Sequence, residues 1–252
     1  MRPRERQSTI ADFIRQKGRV SVNELAATFQ SSPETIRRDL GVLSDAGKIR
    51  KIHGGATQPA ICGEGPFQQR MGENVAAKRA IARNAARLLS PGDTLFVDTG
   101  STTLAFAEEL VEIDDLTVIT NSAEIAKVIG NGNRTATVFL VGGNYNSDNH
   151  ETVGAMAIEQ IRAFRAHLAV LTVGGLDADA GAMDYSADEA QLARAMIERS
   201  GKVIMLADST KFGRIATFSL GPLENFDCLV CEEQPSQSLM DALYRENVEI
   251  VC

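Results

Sequence analysis

The stretch Ser32-Pro33-Glu34-Thr35-Ile36-Arg37-Arg38-Asp39-Leu40 constrains this chain more than any other. Ser32 suits a helix N-cap, and Pro33 suits the first turn, where its missing N–H costs nothing. Ile36, Leu40 and Leu43 recur at i, i+4, i+7 and define one packing face. At about 100° per residue, Glu34, Arg38 and Gly41 point away from that face, with Thr35 and Arg37 on its flanks. A short capped helix thus carries polar and cationic groups at its N-terminal end, away from its apolar stripe. The recognition helix of a helix-turn-helix reads base edges in the major groove with that end. An ordinary amphipathic surface helix would carry the same stripe, so the flanking sequence has to decide.

Upstream, Ser21-Val22-Asn23-Glu24 has the form of a capping box and opens a helix over 23–30, with Leu25, Ala26 and Phe29 as its stripe. Gln30-Ser31-Ser32 makes the turn between the two helices. Downstream, Ala46-Gly47 stops the second helix. Lys48 to Gly55 then reads as a basic β-wing, with Ile49 and Ile52 inward and Lys48, Arg50, Lys51 and His53 wet. Residues 1–6 read as a frayed basic start. A first helix follows to Lys17, burying Ile10, Phe13 and Ile14, and residues 19–22 form a short strand able to pair with the wing. Residues 1–56 therefore spell a winged helix-turn-helix whose partner is double-stranded DNA. Glu34, Thr35 and Arg38 are expected at base edges. Arg37 is expected as a phosphate clamp, and Ser32 at the cap with Arg50, Lys51 and His53 of the wing completes the expected DNA contacts.

The charge distribution agrees. The net charge of −7 taken whole argues against nucleic acid. Residues 1–58, however, hold eleven Lys/Arg against six Asp/Glu, a net of +5, and the remainder carries −12. A basic head on an acidic body is expected when only the head meets phosphate. With no signal-peptide pattern and no apolar run long enough for a membrane span, a cytoplasmic protein with no membrane partner is expected. Cys62, Cys228, Cys231 and Cys252 are then reduced thiols. Cys228-Leu229-Val230-Cys231 lies in an apolar run and lacks a second ligand pair, so no zinc site and no cofactor is expected.

Residues 57–72 carry Pro and Gly without a period and read as a linker. A long helix over 73–89 comes next, with Ile81, Ala85 and Leu88 on one side and Lys78, Arg79 and Arg83 elsewhere. Strand-like runs at 94–97, 116–120, 137–141, 168–173, 203–207, 228–231 and 248–251 then alternate with helical runs at 102–111, 122–130, 154–164, 187–200 and 236–246. That alternation predicts an α/β domain over 73–252 with a mostly parallel sheet.

Five of these strands run into segments that are polar or small: Asp98-Thr99-Gly100-Ser101-Thr102-Thr103, Asn121-Ser122, Gly142-Gly143, Gly174-Gly175-Leu176-Asp177, and Asp208-Ser209-Thr210-Lys211. Open α/β sheets bind ligands at strand C-termini, so these segments converge on one candidate crevice. Thr99 to Thr103 at a helix start can cradle an anion with its N–H groups, Lys211 adds a full charge, and Asp98, Asp177 and Asp208 suit hydroxyl groups. A small phosphorylated, hydroxylated molecule fits that mixture. No dinucleotide or nucleoside-triphosphate fingerprint is present.

Three pieces, Val20 to Ala26, Ser32 to Leu40 and His53-Gly54-Gly55-Ala56, together resemble the DNA-binding signature of the DeoR-type bacterial transcriptional repressors. The five segments after the strands resemble the effector domain of the same family, whose sheet is similar to that of ribose-5-phosphate isomerase. The resemblance implies a repressor of a sugar or polyol catabolic operon, relieved by a phosphorylated effector. One winged domain covers only a short site, so a homo-oligomer, dimer or tetramer, with the acidic domains supplying its interface, is expected. Gly175-Leu176-Asp177, Asp184-Tyr185, Lys211-Phe212-Gly213-Arg214 and Cys252 are similar to members governing glycerol metabolism, which implies glycerol 3-phosphate as the effector. Where many members carry an Arg after Gly142-Gly143, this chain has Asn144-Tyr145-Asn146. The competing reading is a phosphosugar isomerase-like enzyme with an accessory DNA-binding head, with Asp98 and Glu189 as its carboxylates.

Overall fold

A computed structural model describes residues 3–45, 48–57 and 65–252. The N-terminal unit comprises α1 (Pro3–Lys17), β1 (Arg19–Ser21), α2 (Val22–Thr28), α3 (Pro33–Asp45), β2 (Arg50–Ile52) and β3 (Gly55–Thr57). β3 lies antiparallel between β1 and β2, so the strand ahead of α2 pairs with the wing as expected. The stop expected at Ala46-Gly47 lies outside the described residues. α1 begins at Pro3 rather than after Arg6. The cause is tertiary: Arg6 and Gln7 both donate to the Asp39 carboxylate of α3, at 2.6 and 2.9 Å. Ile10, Ile14, Leu25, Ile36, Leu40, Leu43 and Ile49 close a core belonging to this unit. The Ser21 hydroxyl accepts the Glu24 N–H at 3.1 Å, but Glu24 turns to Lys17, at 2.7 Å, so the capping box is only half closed.

The second unit opens with α4 (Phe67–Gly72) and α5 (Val75–Ala86). Part of the expected linker is therefore helical, and Phe67 is buried in the sheet domain; residues 58–64 lie outside the described residues. The chain continues through β4 (Thr94–Val97), α6 (Ser101–Glu109), β5 (Thr117–Thr120), α7 (Ala123–Gly132) and β6 (Thr137–Leu140). Next come β7 (Asn144–Asn146), β8 (Glu151–Val153), α8 (Ala155–Ala163), β9 (Ala166–Thr172), β10 (Gly175–Asp177) and β11 (Gly181–Asp184). It ends with α9 (Ala187–Glu198), β12 (Ser200–Leu206), β13 (Phe218–Gly221), β14 (Cys228–Val230), α10 (Gln237–Arg245) and β15 (Glu249–Val251). Among the described residues no helix is long and apolar enough to cross a membrane.

Seven strands form one sheet in the order β15-β14-β12-β9-β4-β5-β6, and every pairing is parallel. Alternate residues divide its two faces. Phe96, Ala169, Leu171, Met205 and Leu229 pack with α8, α9 and α10. Leu95, Val97, Val170, Leu206 and Val230 pack with α5, α6 and α7. Both faces of the inner strands are covered, which is why these strands read as continuous apolar runs. The chain lays down β4, β5 and β6 to one side, then returns beside β4 with β9 and proceeds the other way. The β4–β9 gap is therefore the topological switch point, where such sheets open a crevice at their C-terminal ends. The hairpin β7–β8 and the antiparallel sheet β10-β11-β13 have no counterpart in the sequence reading. The thiols of the buried Cys228 and Cys231 are pushed up by desolvation, Cys228 to about 12, which keeps them protonated.

Candidate functional site

On α3 the inward face is Ile36, Leu40 and Leu43, and Glu34, Arg37 and Arg38 are exposed. Two of the expected readers, Thr35 and Glu34, are already engaged with their neighbours Ser32 and Arg37. The Ser32 hydroxyl accepts the Thr35 N–H at 3.2 Å and meets the Thr35 hydroxyl at 2.8 Å. Glu34 pairs with Arg37 at 3.2 Å. These are exposed pairs, worth little in water and available for exchange against DNA. Arg50, Lys51 and His53 stand exposed on the wing. The Lys51 ammonium lies 4.0 Å from where a Cβ at Gly41 would sit, so the wing cation flanks the outer face of α3. Asp39, which the sequence reading gave no role, is 3% exposed and clamps α3 to α1.

The crevice at the switch point is a cavity of about 370 Å³. Gly100, Ser101 and Thr102 enter it from β4, Thr172 and Val173 from β9, and Leu206, Asp208, Thr210 and Lys211 from β12. α6 starts there with no side chain capping it, so its first N–H groups and dipole face the cavity. Opposite stands Lys78 of α5, 6% exposed, its ammonium donating to the Arg70 carbonyl at 2.5 Å. Desolvation lowers the Lys78 pKa, the field of Asp208 opposes that shift, and Lys211 and Arg70 add to it. A buried cation beside two others and an open helix N-terminus is a place for an anion. Arg70, Asp184 and Glu189 also line a second cavity, of about 650 Å³. On its wall Asn149 accepts from Arg70 at 3.2 Å and donates to Glu189 and Glu151, at 3.0 and 3.1 Å. Cations thus meet the α6 end, and carboxylates and an amide meet the other.

Of the residues expected to meet a ligand, Gly100, Ser101, Thr102, Asp208 and Lys211 line the cavity. The others do structural work behind it. Asp98 accepts from the Thr172 N–H and hydroxyl at 2.8 and 3.2 Å, joining β4 to β9 across the switch point. Burial raises its pKa well above the usual carboxylate range. Thr99 is buried, and the Thr103 hydroxyl bonds back to the Gly100 carbonyl. Asn121 donates to Glu151 and to the Thr152 carbonyl, tying β8 to the end of β5. Asp177 closes the β10–β11 turn through the Asp179 and Ala180 N–H groups, both at 3.1 Å. The glycine pairs are set by packing. A Cβ at Gly143 would lie 2.6 Å from the Val153 carbonyl oxygen, one at Gly174 2.8 Å from Tyr185, and one at Gly175 2.5 Å from the Arg214 carbonyl oxygen. Gly142 is held by Gln160, which accepts its N–H at 2.8 Å.

Lys78, Arg70, Asn149, Asp184 and Arg214, to which the sequence reading gave no place in the site, also line the two cavities. For Lys78 a signal existed. Lys78, Ile81, Ala82 and Ala85 share the buried stripe of α5, while Leu88, expected there, is 37% exposed. A lysine in register with an apolar stripe is the anomaly that marks a site.

Two such units on one chain are the architecture of a DNA-binding regulator that senses a small molecule. The chain belongs to the DeoR family of transcriptional regulators: residues 6–60 match the DeoR-like helix-turn-helix domain, and residues 73–233 match the DeoR C terminal sensor domain. It is a DNA-binding transcriptional repressor rather than an enzyme. The chain is similar to the glycerol-3-phosphate regulon repressor of Escherichia coli (strain K12), 31% identical over 250 residues that cover 99% of each protein. The repressor of the same name from Haemophilus influenzae is 31% identical over 246 residues, 98% of this chain and 95% of that protein. The regulator GolR of Listeria innocua is 33% identical over 242 residues, 95% of this chain and 94% of its own length. Among solved structures, the fold is similar to eIF2B beta from Chaetomium thermophilum, with 17% identity, 71% of this chain and 56% of that one covered, and a TM-score of 0.48. A D-ribose-5-phosphate isomerase is also similar in fold, at 17% identity, with 54% and 52% covered and a TM-score of 0.40.

Proposed function

We propose that the sensor domain binds a phosphorylated polyol or sugar, glycerol 3-phosphate first among them, and that binding lowers operator affinity. The observation that carries this reading is the buried Lys78, which lines one cavity with the uncapped start of α6. The phosphate sits between Lys78, Lys211 and the N–H groups of Gly100 to Thr102, where charge-assisted bonds are strongest. Hydroxyl groups donate to the carboxylates of Asp184 and Glu189. Glycerol 3-phosphate is placed first because relatives similar over their full length are repressors of glycerol-3-phosphate regulons. At the other end, Glu34, Thr35 and Arg38 read base edges, and Ser32, Arg37, Arg50, Lys51 and His53 hold phosphates. The protein is a homo-oligomer, dimer or tetramer, whose paired heads meet half-sites about 10–10.5 base pairs apart or a multiple of that. Effector and DNA are coupled because the effector favours one of two states of the chain and the operator favours the other. The test is a mobility-shift titration of operator DNA with wild-type protein and Lys211→Ala under rising glycerol 3-phosphate. Lys211→Ala is expected to bind DNA normally and to resist release. Release of the variant at the wild-type effector concentration excludes this site.

A further inference from the structure

β6 is the last strand of the seven-stranded sheet and, among the described residues, pairs with β5 alone. The Thr137 and Val141 N–H groups point to β5, bonding the Leu116 and Thr120 carbonyls at 2.8 and 2.9 Å. Backbone direction alternates along a strand, so the N–H and C=O of Val138 and Leu140 point out of the edge. Phe139 is 43% exposed and Leu140 49% exposed, and the Phe139 ring lies 5.1 Å from that of Phe164 at the end of α8. Met156, on α8, is 70% exposed. Edges of this kind are normally blunted by Lys, Pro or an inward charge. Here residues 135–147 contain no charged side chain and no proline, in a chain that is 23% charged.

We infer that the β6 edge is the site of self-association, taking a second copy of this chain by antiparallel β6–β6′ pairing about a two-fold axis at Phe139. The inference rests on the homo-oligomer reading above and adds its surface. A two-fold axis there sets Val138 opposite Leu140′ and Leu140 opposite Val138′, and each pair exchanges two backbone hydrogen bonds. Phe139 meets Phe139′ as a non-hydrogen-bonded pair, where side chains approach closest and aromatic pairs add stability. The strip is thus complementary to itself, which is what an isologous interface requires, and it brings no like charges together. The register ends at Gly142, whose outward N–H is already taken by Gln160. A two-fold pair also supplies the two heads that a palindromic operator needs.

Three full-length proteins test this by sedimentation at micromolar concentration, with and without operator DNA: wild type, Phe139→Lys, and Phe139→Cys with Cys62 and Cys252 changed to Ser. Circular dichroism checks that each is folded. Oligomeric wild type, a Phe139→Lys variant dissociated at this interface, and a Phe139→Cys variant giving an interchain disulfide under mild oxidation are expected. Should Phe139→Lys fail to fold, the cysteine variant decides alone, since only a β6–β6′ two-fold places residue 139 against itself. An oligomeric wild type with no crosslink and an unchanged lysine variant overturns this surface and leaves the oligomer reading standing. A wild type that is monomeric with and without DNA overturns both.

Discussion

Replacing Lys78 with methionine separates a ligand contact from a structural one. The side chain is 6% exposed and its ammonium donates to the neutral Arg70 carbonyl, so its charge stands desolvated, with the fields of Asp208 and Glu73 set against those of Lys211 and Arg70. Methionine has similar length and no charge. In the empty protein the substitution loses one charge-assisted hydrogen bond, about 1.5–3 kcal/mol. It also removes a desolvation penalty of several kcal/mol, so the two roughly cancel or favour the variant. With a phosphate bound the balance changes, because a buried pair of opposite charges has lost one partner. That costs about 2–4 kcal/mol, or roughly 30- to 1,000-fold in effector affinity. The expected result is a melting temperature equal to wild type or above it, normal operator binding, and half-release of DNA shifted to effector concentrations at least about 30-fold higher. Thermal-shift and mobility-shift titrations with glycerol 3-phosphate read both. Half-release within threefold of wild type would refute the placement of the phosphate at Lys78. A large loss of stability in the empty protein would refute the account of its burial.

Arg38→Ala should cost roughly 1–3 kcal/mol in operator affinity and relax base preference, whereas Lys51→Ala should weaken all sequences alike and flatten the salt dependence; competition with scrambled DNA at several salt concentrations tells them apart. Because burial raises the Asp98 pKa in the folded chain, the stability tied to its proton is complete below the unfolded value near ~3.9 and is lost as pH rises through the folded value. Asp98→Asn should therefore gain in melting temperature relative to wild type as pH is raised from acid to neutral, and a difference flat with pH would contradict the assignment. Gly143→Ala drives a Cβ against the Val153 carbonyl oxygen and should destabilise by about 1–3 kcal/mol in denaturant melts, with the effector response of the folded fraction unchanged.

The head was legible in the sequence because its signals are local: a cap at Ser32, a stripe at Ile36, Leu40 and Leu43, and a basic wing. The seven parallel strands were legible too, since burial on both faces writes the inner ones as apolar runs and helices separate most of them. The strands of β7–β8 and β10-β11-β13 were not. They are no shorter than β4 or β14, but NYN, ETV, GLD, GAMD and FSLG carry no unbroken apolar run, and their pairing depends on turns such as the one Asp177 closes. The topology rule addresses strand ends, and of the residues it named, Gly100, Ser101, Thr102, Asp208 and Lys211 line the crevice. Lys78 and Arg70 come from helices on the far wall, and no rule of strand ends reaches them. Asp98, Asn121 and the glycine pairs, which the same rule named, bond to or pack on their neighbours and do not line the cavity, since a residue at a strand end can equally be there to hold the fold.

The buried clusters of the head and of the two sheet faces have no residue in common among the described positions. A change that loosens Leu25 or Ile36 therefore leaves Phe96 and Leu171 with all their neighbours, and the reverse holds as well. Inheritance can act on the halves separately. The address on DNA and the molecule being sensed can drift at different rates, and a gene fusion joined within residues 58–64 would sever no core contact among the described residues. A lineage can thus acquire a new signal while keeping an old operator, or carry an old signal to a new one.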